Sequence, residues 1–172
     1  MTRTVALLRG INVGPTTKVP MAVLRSLFLA SGATDVVTLL NSGNVVFSGT
    51  VDARAIESRI REQTGVTTRV LIVPADRFRR ITEAFPFDVS LNPDESKLTV
   101  AFMSSVPTDV DVPPELAPEI IAFGAEAVYQ SLPDGISKTK LKPSFWKQLP
   151  PETTVRNLRT VKKLLALLDD PA

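Results

Sequence analysis

Arg9-Gly10-Ile11-Asn12-Val13-Gly14-Pro15-Thr16-Thr17-Lys18 carries two cations, an amide and two glycines in one short stretch. A glycine-bearing loop that leads into a helix presents backbone N–H groups to an anion, and Arg9, Asn12 and Lys18 add side-chain donors. It is not a nucleotide P-loop: Gly14 is followed by Pro15, no Gly-Lys-Ser/Thr occurs, and the spaced glycines of a dinucleotide fold are missing. The structural alternative is a connection shaped by its two glycines with exposed charges beside it. A second polar run, Asn41-Ser42-Gly43-Asn44, offers amides and a hydroxyl to a ligand. As a hairpin turn its Asn side chains would instead satisfy local backbone groups, and the residue types favour that use. The third region joins Ser137-Lys138-Thr139-Lys140 to Thr153-Thr154-Val155-Arg156-Asn157-Leu158-Arg159-Thr160. Thr153 or Thr154 can cap a last helix, with Arg156 beside its positive end. Arg156, Thr160 and Lys163 then follow i, i+4, i+7 spacing, a cationic ridge suited to phosphate or carboxylate, or simply a solvated face.

Other chemistries are closed by composition. The 172 residues contain no Cys and no His, which removes disulfides, thiolate or imidazole metal sites, cysteine nucleophiles and the Ser-His-Asp triad. Catalysis would have to use carboxylates, Lys, Arg, hydroxyls, Tyr129 or backbone groups. The paired carboxylates Asp94-Glu95, Asp109 with Asp111, and Asp169-Asp170 fall in loops or at the terminus, with no apolar setting to separate their proton affinities, so no dyad is assigned. Tyr129 and Trp146 read as core or edge residues.

The elements that position these stretches follow from periodicity. Thr4 to Leu8 is a buried first strand, and Pro20 opens a helix with Met21, Leu24, Leu27 and Phe28 on one side and Gly32 as its stop. Val36 to Leu40 and Val45 to Phe47 flank the 41–44 turn as a hairpin. Asp52 caps a second helix through Gln63, with Ile56 and Ile60 inward, Glu57 paired to Arg61, and Gly65 at its end. Arg69 to Val73 is a fourth strand. The order βαββαβ predicts an α+β fold whose first subdomain, residues 1–74, is ferredoxin-like, with an antiparallel sheet. A second subdomain, residues 75–172, holds a helix from Ala75, strands at 98–102, 120–123 and 127–132, a proline-rich irregular crossing between the first two, a short helix around Phe145-Trp146 and a last helix from about Arg156 to Leu168 that packs back on the first subdomain.

Charge is segregated along this order. Residues 1–51 hold four basic groups against one acidic, residues 52–136 eight against fourteen, and residues 137–172 eight against three, for net charges of +3, −6 and +5. Basic ends packed side by side would focus positive potential on one face. No run of about 18 apolar residues occurs, and Arg3, Arg9 and Asn12 interrupt any signal-peptide apolar core, so the expected address is the cytoplasm, with no membrane partner.

Ala6-Leu7-Leu8-Arg9-Gly10-Ile11-Asn12-Val13-Gly14, Lys18-Val19-Pro20-Met21, Ser42-Gly43-Asn44-Val45-Val46-Phe47, Pro86-Phe87, and Thr154 with Arg156-Asn157-Leu158-Arg159-Thr160-Val161 occur in that order. Together they resemble the bacterial family catalogued as domain of unknown function 1697. The resemblance spans nearly the whole chain and implies an α+β fold of two subdomains, the first ferredoxin-like; it implies no activity. Pro15 stands where members more often have a second glycine, which removes one N–H from the loop, and Asn41 where Gln is common.

The expected function is binding of a small phosphate- or carboxylate-bearing ligand at a cationic cleft where the three polar regions converge. Its ligand-binding residues would be Arg9, Asn12, Lys18, Asn41, Ser42, Asn44, Lys138, Arg156, Asn157 and Thr160. In a catalytic version Arg9, Lys18 and Arg156 would stabilise anionic charge and Lys138 would carry a proton, but no catalytic residue, metal or cofactor is assigned. One alternative is contact of the +5 end with a nucleic-acid backbone, without the aromatic sheet platform of ferredoxin-like RNA readers: the first strand has no aromatic and the hairpin only Phe47. The other is a protein-interaction domain without a small ligand.

Overall fold

The computed structural model describes residues 2–170. The chain divides into two compact units: the first runs through Arg79 and takes in the end of the chain from Leu164, and the second is Arg80–Lys163.

Unit 1 is built from β1 (Arg3–Arg9), α1 (Met21–Ala30), β2 (Thr34–Leu39), β3 (Asn44–Ser48), α2 (Ala53–Thr64) and β4 (Arg69–Pro74), with the sheet ordered β2-β3-β1-β4 and every neighbour antiparallel. This is the βαββαβ order read from the sequence. Pro20 precedes α1 in extended geometry and Gly32, at φ 92°, follows it. Between them Leu24, Leu27 and Phe28 are buried at i, i+3, i+4 spacing. Asp52 caps α2 by accepting from the Ala55 N–H at 3.0 Å, and left-handed Gly65 ends it. One sheet face, with Ala6, Leu8, Val45, Phe47 and Val70, packs on Leu24, Phe28, Ile56 and Ile60, and the Phe28 and Phe47 rings lie 5.2 Å apart. Strand alternation sends Val5, Leu7, Val46 and Val73 to the opposite face. All four are fully buried, so that face is no open platform for stacking bases.

Two local expectations are corrected. Strand β2 starts at Thr34, before Val36, because a register shift between Thr34 and Val37, with Asp35 at φ 50°, admits the earlier residues to the ladder. Glu57 does not serve Arg61. Its carboxylate accepts from the Val70 N–H at 2.8 Å and pairs with Arg69 at 3.3 Å, capping the exposed edge of β4. An i, i+4 pair on a helix surface contributes only about 0.2–0.5 kcal/mol, so an otherwise unpaired strand N–H wins the carboxylate.

In unit 2 the strands β5 (Leu98–Phe102), β6 (Ile120–Phe123), β7 (Ala127–Ser131) and β8 (Thr154–Asn157) make a second antiparallel sheet ordered β6-β7-β5-β8. The helix α3 (Ala75–Glu83) precedes it and carries the boundary between the units, α4 (Pro143–Trp146) lies before β8, and α5 (Leu158–Asp169) follows. Ala101, Met103, Val128, Leu141, Phe145 and Leu149 form the core on one sheet face, and the Tyr129 hydroxyl donates to the Ile81 carbonyl at 2.6 Å.

Strand β8 is the main departure. The last helix begins at Leu158, not at Arg156, because residues 154–157 pair with β5, placing Val100 opposite Arg156 and Phe102 opposite Thr154. The N-cap is accordingly Asn157, whose side-chain oxygen accepts from the Thr160 N–H at 2.9 Å, and neither Thr153 nor Thr154 caps α5. The expected ridge of Arg156, Thr160 and Lys163 does not form, since its first member sits on a strand.

Candidate functional site

At the end of β1 the chain turns through Asn12, which is held at φ 55°, a left-handed conformation that Asn tolerates better than most residues. Its backbone N–H donates to the Thr17 carbonyl at 2.7 Å. Its side-chain oxygen accepts from the Val19 N–H at 2.9 Å, and Nδ2 donates to the carbonyls of Val19 at 3.0 Å and Asn41 at 2.7 Å. One amide thus closes the 10–19 loop and ties it to the hairpin tip. The tip is tied a second time where the Leu8 N–H donates to the Gly43 carbonyl at 2.9 Å. Gly43 sits at φ 85°, and a Cβ there would lie 2.7 Å from Ile11 Cδ1 and 2.8 Å from Leu8 Cβ, so only glycine fits. Asn44 is fully buried, and its amide donates to the Leu39 carbonyl at 2.7 Å and to Ser42 Oγ at 3.0 Å.

The first two polar regions therefore form one continuous rim in unit 1. Asn12 and Asn44 use their amides to build it, while Arg9, Lys18, Asn41 and Ser42 are exposed on it. Beside the rim Thr68 Oγ1 donates to the Arg9 carbonyl at 2.7 Å, and Arg69 is the register partner of Arg9. There a recess of about 180 Å³ opens between α2 and the start of β4, lined by Glu57, Ser58, Arg61, Thr67, Thr68 and Arg69. The sequence reading missed this recess. Its one signal was Arg61, a helix-surface cation whose assigned partner Glu57 could equally serve a strand.

The four remaining candidates belong to unit 2. Lys138 is exposed at the end of a single 3₁₀ turn, Ile136–Lys138. Its neighbours clamp the buried Glu119 carboxylate, with Thr139 Oγ1 donating to it at 2.8 Å and the Lys140 N–H at 2.5 Å, and Lys140 Nζ donates to the Ala117 carbonyl. Arg156 is buried, its Nη1 donating to Thr154 Oγ1 at 2.8 Å and the Val155 carbonyl at 2.9 Å. Burial lowers the pKa of its guanidinium to about 10, still charged at neutral pH. Asn157 is occupied as the cap of α5, and Thr160 is buried in the first turn behind it.

The carboxylates are placed as structural groups. Asp94 accepts from Ser96 through both hydroxyl and N–H, and Asp88 from Ser90 in the same way; these bonds hold both carboxyls below the usual range. Among the described residues no three acidic side chains gather as a metal site, and no helix is long and apolar enough to cross a membrane.

A family model described as a protein of unknown function, DUF1697, matches residues 1–129. The chain belongs to that family. It is also similar to the conserved bacterial protein SP0830 of Streptococcus pneumoniae, with a TM-score of 0.70, 24% sequence identity and 99% of each chain covered; at that identity the likeness carries the fold alone. No curated protein matches.

Proposed function

We propose that the chain binds a small phosphate- or carboxylate-bearing ligand at the rim of unit 1, with Arg9 and Lys18 supplying positive charge and Asn41 and Ser42 supplying hydrogen bonds. The observation that carries this reading is the Asn12 amide, whose bonds to Val19 and Asn41 hold the loop between Arg9 and Lys18 in place through the protein's own groups. A binding loop that is already ordered does not lose its conformational freedom on association, a cost of about 0.5–1.5 kcal/mol for each side chain that must be immobilised. An anion there meets charge-assisted donors, roughly twice as strong as neutral ones. The reading is one of binding, and it assigns no proton carrier and no nucleophile.

The test is calorimetric titration at low ionic strength with inorganic phosphate, glucose 6-phosphate and citrate, on wild type and on Lys18→Gln with Ser42→Ala. The expected result is saturable binding that the double variant weakens about tenfold, the effect of losing about 1.4 kcal/mol of charge-assisted bonding. Equal affinity in wild type and variant would remove the rim from the function.

A further inference from the structure

The recess between α2 and β4 uses none of the rim residues. Two guanidinium groups line it, Arg61 from the last turn of α2 and Arg69 from the first position of β4, together with the hydroxyls of Ser58, Thr67 and Thr68. Their states of engagement differ. Thr68 is committed to the Arg9 carbonyl. Glu57 has both oxygens in use, one on the Val70 N–H and one on Arg69 Nη1, so it orients that guanidinium while leaving the rest of its fork for another acceptor. Ser58, Arg61 and Thr67 carry side-chain donors that make no hydrogen bond or ion pair to the described residues. The last-turn carbonyls of α2 place partial negative charge nearby, which favours a cation at Arg61. With one carboxylate against two guanidiniums, the recess keeps a formal charge of +1.

We propose that this recess is a binding site for a phosphate monoester, which seats its terminal phosphate between Arg61 and Arg69 and leaves the rest of the molecule in solvent. A phosphate dianion presents three oxygens. Two planar forks and two uncommitted hydroxyls can serve all three, whereas a carboxylate has only two oxygens and leaves more donors unused. The volume of about 180 Å³ suits a compact oxyanion rather than an entire nucleotide. Because the second ionisation of a phosphate monoester lies near pH 6, the site is expected to favour pH 7.5 over pH 5.

Amide NMR titrations with glucose 6-phosphate and with acetate test this, because they report each site by its own resonances. The expected result is saturating shifts at Ser58, Thr67 and Thr68 with the phosphate ester, about tenfold weaker in Arg61→Gln and at pH 5, with acetate at least tenfold weaker than the ester. Gln is nearly as good a helix former as Arg at this exposed position, so the variant keeps its fold; Thr67→Ala, on the other element, gives a second reading. Absence of saturating shifts at these three amides, unchanged affinity in both variants, or equal binding of acetate would overturn the proposal. Shifts at residues 10–18 are scored separately, so the rim and the recess fail or stand independently.

Discussion

The polar rim of unit 1 and the polar run of unit 2 are alike in composition and opposite in use. Both combine Thr, Asn and cations, and both read as ligand-facing. In unit 1 the polar residues lie in the connections and at the strand ends that border them, Arg9 closing β1 and Asn44 opening β3, and the amides of Asn12 and Asn44 bond to backbone carbonyls around them while Arg9 and Lys18 are exposed. In unit 2 the equivalent residues lie within elements. Residues 154–157 are recruited by the edge of β5, which buries Arg156, and α5 takes Asn157 as its cap. Polar residues thus stay at the surface where side-chain amides close the turn around them, and are buried or taken as caps where a strand or helix is built through them.

The largest expected effect tests the tightest point of the rim. Gly43→Ala forces a Cβ to within 3 Å of Leu8 and Ile11 and a non-glycine residue to φ 85°. We expect a loss of about 3 kcal/mol, from strain and overpacking together, seen as a lower urea midpoint. At Gly65, left-handed at φ 73° and ψ −2° at the end of α2, an added Cβ would meet nothing within 4 Å. Gly65→Ala should therefore cost only the conformational part, about 1 kcal/mol. Equal losses would mean that the closeness of the tip to β1 contributes nothing.

Next in size is Arg156→Ala, expected to cost about 2 kcal/mol through the cavity left and the lost donor to Thr154. The pH dependence follows from its lowered pKa. The unfolded chain holds this proton more tightly than the folded one, so the group adds no slope below about pH 9 and raises folded-state stability as pH climbs above about 10 toward the ordinary guanidinium value. The difference in unfolding free energy between wild type and Arg156→Met should be flat up to that point and then widen in favour of wild type. A slope near neutrality would mean that Arg156 does not carry its charge as described.

Asn157→Ala should cost about 1 kcal/mol, whereas Thr153→Ala, which removes a buried hydroxyl with no hydrogen-bond partner among the described residues, should cost less or even stabilise. That pair separates what was legible in the sequence from what was not. Periodicity and capping residues located the helices of unit 1 and the βαββαβ order, because Leu24, Phe28, Ile56 and Ile60 repeat at helical spacing and Asp52 and Gly65 mark the ends of α2. The strand β8 was hidden: Arg156, Thr160 and Lys163 fall by coincidence at helical spacing, and the pairing that overrides it comes from β5, far away in the chain. The two polar motifs of the rim were visible as motifs. Which of their amides would be consumed was not, because the Leu39 and Asn41 carbonyls come within reach only in the folded hairpin and that of Val19 only in the closed 10–19 loop. The recess had no motif at all, since its residues straddle the end of one element and the start of the next.

The smallest structural effect is the most discriminating functionally. Lys18 and Lys138 are both exposed, one on the rim and the other at the end of a 3₁₀ turn in unit 2. Replacing either by Gln should move stability by less than about 0.5 kcal/mol, as for other surface positions without a named role. Their effects on anion binding should part company. Lys18→Gln removes a cation from a loop that Asn12 already holds in place, and should weaken phosphate binding at the rim several-fold, the loss shrinking as salt is raised because an exposed charge is screened within about 10 Å at 0.1 M. Lys138→Gln alters the net charge of the protein by the same amount. Were attraction of anions a matter of net charge alone, the two variants would titrate alike, and the grouping of Lys18 with Asn41 and Ser42 on one rim would have no bearing on binding.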